Sequence, residues 1–256
     1  MKVVLLAGGL GSRLSEETYL KPKPLIEIGN MPVIWHIMMI YSHYGYNEFI
    51  ICCGYKGYML KEFFANYFLH LSDVEIDVKN NSVKILNKKL KKDWKIKLID
   101  TGEKTQTGGR IKKIRKYIDG TFLMTYGDGL SNINIKNLIS LHKKNNTLAT
   151  MTVVNPPSRF GSVQLNKKLV HKFNEKPVVS NSWINGGFFV LEPKIFDYIK
   201  GDNTIWEKEP LQNLSKNKKL TAYLHKDFWQ PMDTLRDRNF LNDLWNSGNA
   251  PWKLWK

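Results

Sequence analysis

Gly8, Gly9 and Gly11 directly follow the apolar run 3–7; Ser12 and Arg13 come next, and Lys23 stands between Pro22 and Pro24. Glycine lets backbone approach an oxyanion and aim successive N–H groups at it, so this turn suits a phosphate. A P-loop needs Gly-Lys-Ser/Thr after four spacers, whereas Gly-Leu-Gly-Ser-Arg follows Gly8. A dinucleotide fingerprint needs glycine or alanine where Leu14 stands, and an acidic residue where the second strand ends in Cys53-Gly54. What remains is bare backbone followed by fixed positive charge. Arg13 offers a planar fork for phosphate oxygens; Lys23 offers a compact cation on a proline-stiffened backbone. A surface salt bridge for Arg13 and an ordinary turn for Lys23 are the plainer alternatives. Asp128 lies at the carboxyl end of the buried run "TFLMTYGDG", 121–129, where α/β sheets place ligands; a turn former ahead of Gly129 is the alternative.

The spacing "GGLGSRL" followed by "KPL" at 23–25 resembles the signature of the sugar-nucleotide pyrophosphorylases, the nucleotidyltransferases that join a nucleoside triphosphate to a sugar 1-phosphate. The segments "FIICCGYKGY", "TGGR", "TYGDG", "NGGFFVL", "FWQPMDTLRD" and "APWKLWK" extend the likeness over nearly the whole chain. They point to the branch acting on CTP and glucose 1-phosphate. The Lys-rich stretch 75–95 matches least. Family members commonly carry Thr where Ser12 stands; the hydroxyl is kept, so its hydrogen bond to phosphate is expected to survive.

The resemblance implies CTP plus α-D-glucose 1-phosphate giving CDP-glucose and pyrophosphate, an early step toward CDP-linked dideoxy sugars of bacterial surface polysaccharides such as O-antigen. The sugar phosphate is already mostly ionised near neutral pH, since its second pKa is about 6, so no general base is needed. The difficulty is bringing anions together, which makes positioning and charge neutralisation the catalytic tasks. Arg13, Lys23 and Asp128 are the expected catalytic residues. Asp128 and Asp233 are the expected ligands of Mg²⁺, the implied cofactor; a helix N-cap is a second reading of Asp233, compatible with the first. The expected substrate-binding set is Leu6, Ala7, Gly8, Gly9, Gly11, Ser12, Arg13, Lys23, Thr105, Arg110, Glu175, Lys176, Asn185 and Gly186. Within it Thr105 and nearby backbone contact cytosine, and Arg110 lies near a phosphate. Gly108 and Gly109 admit a ligand ahead of a helix, unless they simply form a turn. Glu175 accepts from glucose hydroxyls, Lys176 pairs with the sugar phosphate, and Asn185 with Gly186 holds the ring; a hairpin salt bridge is the alternative for Glu175 and Lys176.

The elements that must position these groups follow from hydrophobic periodicity. Continuous apolar runs at 2–8, 47–55, 121–129 and 148–154 predict buried strands of a parallel sheet, alternating with helices at 31–45, 56–70, 108–118 and 135–146. Another strand is predicted at 94–102. Asn80-Asn81 between two short alternating runs predicts a hairpin over 74–86, and 160–177 a second one. Strands at 183–193 and 220–226 follow, with helical segments near 194–200 and 206–216. A last helix is predicted over 233–248, with Asp233 as N-cap and Gly248 as stop. The expected fold class is α/β: a Rossmann-like mixed, mainly parallel sheet with helices on both faces and small β-hairpin, sugar-binding additions, as the resemblance to the nucleotide-diphospho-sugar transferase fold also implies. The chain is expected to form one nucleotidyltransferase domain, 1–256, with a mainly nucleotide-binding half to residue 154 and a mainly sugar-binding and oligomerisation half after it.

Composition narrows the classes further. The chain has 256 residues, 39 Lys and Arg against 23 Asp and Glu, and a net charge of +16, which suits an anionic partner. The densest basic run, 87–97, lacks arginine and fits a solvated hairpin face. No helix-turn-helix, zinc-finger or RNA-recognition pattern supports a nucleic-acid partner. No apolar stretch nears the roughly 20 residues that a membrane helix requires, and the opening apolar run stops at Ala7. A soluble, cytoplasmic protein with no membrane partner is expected. Adjacent Cys52 and Cys53 point to opposite faces of a strand and are expected to be buried, reduced thiols. The six histidines show no metal-ligand spacing. Family members form trimers or hexamers, so a homo-oligomer is expected, with Trp252 and Trp255 packing on another subunit in preference to their own domain.

Overall fold

The computed structural model describes residues 1–11, 14–86, 92–156, 162–174 and 182–255. Within these the strands are β1 Val3–Leu6, β2 Glu27–Ile28, β3 Met31–Pro32, β4 Glu48–Cys53, β5 Val74–Asp77, β6 Ser82–Ile85, β7 Lys95–Asp100, β8 Phe122–Tyr126, β9 Gly129–Ser131, β10 Ala149–Val154, β11 Ser162–Asn166, β12 Leu169–Asn174, β13 Ile184–Leu191, β14 Leu220–His225 and β15 Trp229–Pro231. The helices are α1 Ser15–Thr18, α2 Val33–His43, α3 Gly57–Ala65, α4 Tyr67–Leu71, α5 Thr107–Lys113, α6 Ile135–Asn145, α7 Glu209–Lys216 and α8 Leu235–Asn246.

Seven strands form one sheet in the order β14-β10-β13-β8-β1-β4-β7. All pairings are parallel except those of β13, which runs against β8 and β10. The mixed, mainly parallel α/β sheet expected from the sequence is therefore present. Its core strands are mostly apolar because both faces are covered, with Thr125, Thr150 and Thr152 buried among them. Val3 and Leu5 face the layer of α2, α6 and α8, while Val4 and Leu6 face that of α5 and α7. Cys53 belongs to the first layer and Cys52 to the second; both thiols are free and buried, and burial pushes the Cys53 pKa up to about 11. Each buried leucine or isoleucine contributes on the order of 1.5–3 kcal/mol.

Local details depart from the sequence expectations where tertiary contacts intervene. The helix expected at 56–70 breaks at Asn66 into α3 and α4. The helix expected at 108–118 closes after Lys113 and continues as a 3₁₀ turn at Arg115–Tyr117. The 74–86 hairpin forms as expected, with Asn81 in the left-handed region at φ 48°. Only β11 and β12 of the second hairpin's span are described, and part of the basic run, 87–91, lies outside the described residues.

The tail is a correction. Trp252 is fully buried within its own chain, stacked between Phe228 and Trp245, and Trp255 packs on Trp35 and Trp245. The reason is His36, buried on α2, whose outer face needs a cover. Its Nε2 donates to Ile28 O at 2.9 Å, leaving Nδ1 to accept from Trp252 Nε1 at 3.3 Å. Among the described residues no helix is long and apolar enough to cross a membrane.

Candidate active site

The parallel strands β1, β4, β7 and β8 all end at one edge of the sheet. Strand order runs outward from β1 to β4 and β7, then reverses to place β8 on the other side of β1. Loops leaving such a reversal diverge and open a crevice at the carboxyl ends. A cavity of about 520 Å³ lies there. Leu6, Ala7, Gly8, Gly9 and Gly11 line it from the end of β1, and Asp128 from the end of β8. Gly11 sits at φ +66°, and a Cβ there would meet Thr18 Cγ2 at 2.7 Å, so the turn needs glycine on both counts.

Lys23 enters on a 3₁₀ turn, Lys23–Leu25, set by Pro22 and Pro24. Its side chain is only 11% exposed, and Nζ donates to Asp128 Oδ2 at 2.6 Å and to Asp233 Oδ1 at 2.8 Å. Burial alone would lower the lysine pKa; the two carboxylates outweigh it and hold the ammonium above its ordinary value. Asp233 reaches this point because β15 pairs antiparallel with β9, and the ladder continues as Met232 N–H donating to Asp128 O at 2.8 Å. Asp233 is not the helix N-cap. Thr234 is, in a capping box with Asp237, which leaves the Asp233 side chain for the site.

Two carboxylates from separate segments thus converge on one cationic point beside a glycine-lined approach. That donor set fits a hard divalent cation, which one or two carboxylates hold while phosphate oxygens complete the shell. Among the described residues no third carboxylate, histidine or cysteine joins them.

The third wall is the segment 101–110. Thr105 and Arg110 line the cavity. The Arg110 guanidinium, however, is buried and turned to the protein. Nη1 donates to Thr101 Oγ1 at 2.7 Å, Gly102 O at 2.8 Å and Cys53 O at 3.2 Å; Nη2 donates to Gly8 O at 2.9 Å and Glu103 O at 3.1 Å. Its charge stands at the wall, while its hydrogen bonds brace the loops after β1, β4 and β7. Gly108 and Gly109 are a second correction: they lie inside α5 and admit the chain's own backbone, not a ligand. A Cβ on Gly109 would meet Asp202 O at 2.5 Å, and one on Gly108 would meet Thr204 O at 2.7 Å.

Asn185 lines the cavity from β13. Gly186 is beside it but outside the lining, its carbonyl accepting from Trp229 Nε1 at 2.7 Å. Ser12, Arg13, Glu175 and Lys176 lie outside the described residues. The sequence reading missed Tyr126, Trp229, Thr107 and Glu207, all cavity-lining. Tyr126 and Trp229 adjoin the site aspartates in "TYGDG" and "FWQPMDT", a usable signal; Glu207 precedes a helix with no pattern to distinguish it.

Known proteins resemble this chain in sequence and in fold. The family profile described as Nucleotidyl transferase matches residues 2–235. A glucose-1-phosphate cytidylyltransferase of Salmonella typhimurium is 51% identical over 258 aligned residues, covering all of both chains. Mannose-1-phosphate guanylyltransferase 1 of Arabidopsis thaliana is 29% identical, over 95% of this chain and 64% of its own. A solved UDP-glucose pyrophosphorylase complexed with UDP-glucose superposes with a TM-score of 0.68 at 16% identity, over 96% of this chain and 98% of the other; it shares the fold. The family match spans most of the sequence, and this chain belongs to the nucleotidyl transferase family.

Proposed function

We propose that the protein transfers a cytidylyl group from CTP to α-D-glucose 1-phosphate, giving CDP-glucose and pyrophosphate. The observation that carries this reading is full-length identity of 51% to a glucose-1-phosphate cytidylyltransferase. The cavity suits the chemistry. A phosphate oxygen of the sugar ester attacks the α-phosphorus, forming one P–O bond as the bond to pyrophosphate breaks. The nucleophile is already ionised, so the protein has no proton to remove. Its work is to gather anions.

The backbone of Gly8, Gly9 and Gly11 binds the triphosphate, and Arg13 holds the departing pyrophosphate. Lys23 supplies a positive charge beside the phosphates, where pre-positioned charge is worth most. Asp128 and Asp233 would hold Mg²⁺, which when bound neutralises charge on phosphate oxygens. Thr105 and adjacent backbone read cytosine. Glu175, Lys176, Asn185 and Gly186 bind glucose 1-phosphate. Association of copies into a trimer or hexamer belongs to the same reading.

The test is pyrophosphate release with purified protein, Mg²⁺ and glucose 1-phosphate, offering CTP, UTP, dTTP, ATP and GTP separately. CTP should give the highest kcat/KM. Silence with every nucleotide, or a clear preference for another base, would overturn the reading.

A further inference from the structure

Among the described residues Glu207 is the one cavity carboxylate that the phosphate chemistry above leaves without a task. It is held in place from two sides. Thr107 Oγ1 donates to its Oε2 at 2.7 Å, and Tyr126 Oη donates to its Oε1 at 2.5 Å. Behind Thr107, Trp206 N–H donates to Oγ1 at 2.9 Å, and Trp206 is itself fully buried. Behind Tyr126, Asn185 Nδ2 donates to the phenol oxygen at 3.1 Å. The loop carrying Glu207 is stitched to α5: Gln106 N–H donates to Asp202 O and Gly109 N–H to Thr204 O, the approach that Gly108 and Gly109 make room for. Every donor in this chain points toward the carboxylate. Burial, reinforced by Glu207, keeps the Tyr126 pKa well above its usual value, so the phenol stays a donor.

An ionised carboxylate only accepts, and it has about four lone-pair directions. Thr107 and Tyr126 take one on each oxygen, which leaves acceptor capacity on both oxygens of an exposed, cavity-lining residue. Such a group repels phosphate and attracts O–H. Hydrogen bonds also tie it to the 105–107 segment through Thr107 and to Asn185 through Tyr126. We propose that Glu207 is a substrate-binding residue that accepts a hydroxyl of a substrate sugar ring and sets the orientation of that ring relative to the phosphates. The inference rests on the reading that the cavity takes a nucleotide and a sugar phosphate. Ribose and pyranose offer the same chemistry, and the experiment separates them.

The test is a kinetic cycle between the side chain and the hydroxyl, read by pyrophosphate release. Wild type, Glu207→Ala and Glu207→Gln are each assayed with CTP against 2′-deoxy- and 3′-deoxy-CTP, and with glucose 1-phosphate against its 2-, 3-, 4- and 6-deoxy analogues. A hydrogen bond to a charged acceptor predicts that Glu207→Ala raises KM for one substrate by about tenfold or more, with kcat changed much less. Glu207→Gln, which keeps an acceptor oxygen and the side-chain volume, should lose part of that and covers the case in which alanine does not fold. One deoxy analogue that costs wild type about tenfold should cost Glu207→Ala less than twofold; a deoxynucleotide in that role assigns the ribose, a deoxy sugar phosphate the pyranose. The proposal is overturned if both KM values stay within twofold of wild type, if every analogue costs variant and wild type equally, or if only the CTP-to-UTP ratio moves. Wild-type turnover in the same assay keeps the claims apart: a silent wild type refutes the functional reading, whereas an active one with an indifferent Glu207→Ala refutes this assignment alone.

Discussion

Lys23 and Asp233 stand 210 positions apart in the sequence, and their Nζ and Oδ1 meet at 2.8 Å. Asp128, 105 positions from Lys23, takes the same ammonium at 2.6 Å. One ammonium thereby bridges two carboxylates that would otherwise repel one another. Lys23→Ala should lower kcat/KM by about 10²–10³-fold, the usual loss for one pre-positioned charge. It should also lower thermal stability without metal, because the aspartates lose their counter-charge. Added Mg²⁺ should raise the Tm of the variant more than that of wild type. Equal Tm shifts in a thermal melt would show that the ammonium does not offset the repulsion between the two carboxylates.

Arg110 holds carbonyls from three loops through hydrogen bonds that a planar fork can reach together and an ammonium cannot. Arg110→Lys keeps the charge and loses the fork. It should cost about 2–4 kcal/mol in denaturant unfolding and raise KM for the nucleotide. Wild-type values for both would show that the charge alone matters.

Gly109 faces the backbone of Asp202 closely enough that a methyl group would stand 2.5 Å from its carbonyl oxygen. Gly109→Ala must therefore push the 202–207 loop away from α5. A destabilisation of about 1–3 kcal/mol is expected from overpacking. KM for one substrate should rise as well, since Glu207 travels with that loop.

His36 gives the fold a pH dependence. Burial pushes its pKa down to about 4, and the Nδ1 that would take the proton accepts from Trp252. Between pH 6.5 and 4 the unfolded chain binds a proton here that the folded chain refuses. Stability is therefore full above about pH 6.5 and falls as pH drops toward 4, by roughly 3 kcal/mol from this residue. His36→Gln should remove that part of the slope in unfolding curves measured across this range. An unchanged slope would show that His36 does not carry it.

Most of the sheet was legible because its strands are buried on both faces, which leaves apolar runs such as Val3–Leu6 and Phe122–Met124. Lys23 and Asp128 were legible because glycine and proline mark the turns that aim them. Asp233 was legible through resemblance, while its local role was not: Asp233 and Thr234 are both good caps, and only the capping box with Asp237 decides between them. The tail was misread because nothing in "APWKLWK" says whose surface its tryptophans cover; the contact of Trp252 with the buried His36 settles it. Glu207 was invisible because its position depends on a glycine pair almost a hundred residues earlier.

On the proposed function this cavity joins two phosphate esters directly, with Lys23 and its two aspartates at the point of reaction. The most direct measurement is a ³¹P NMR time course of CTP, glucose 1-phosphate and Mg²⁺ with wild type and with Asp128→Asn. Wild type should produce CDP-glucose and pyrophosphate in equal amounts, and Asp128→Asn, still folded by its melting curve, should produce almost none. Release of CMP or inorganic phosphate in place of the paired products, or wild-type turnover by Asp128→Asn, would contradict the account.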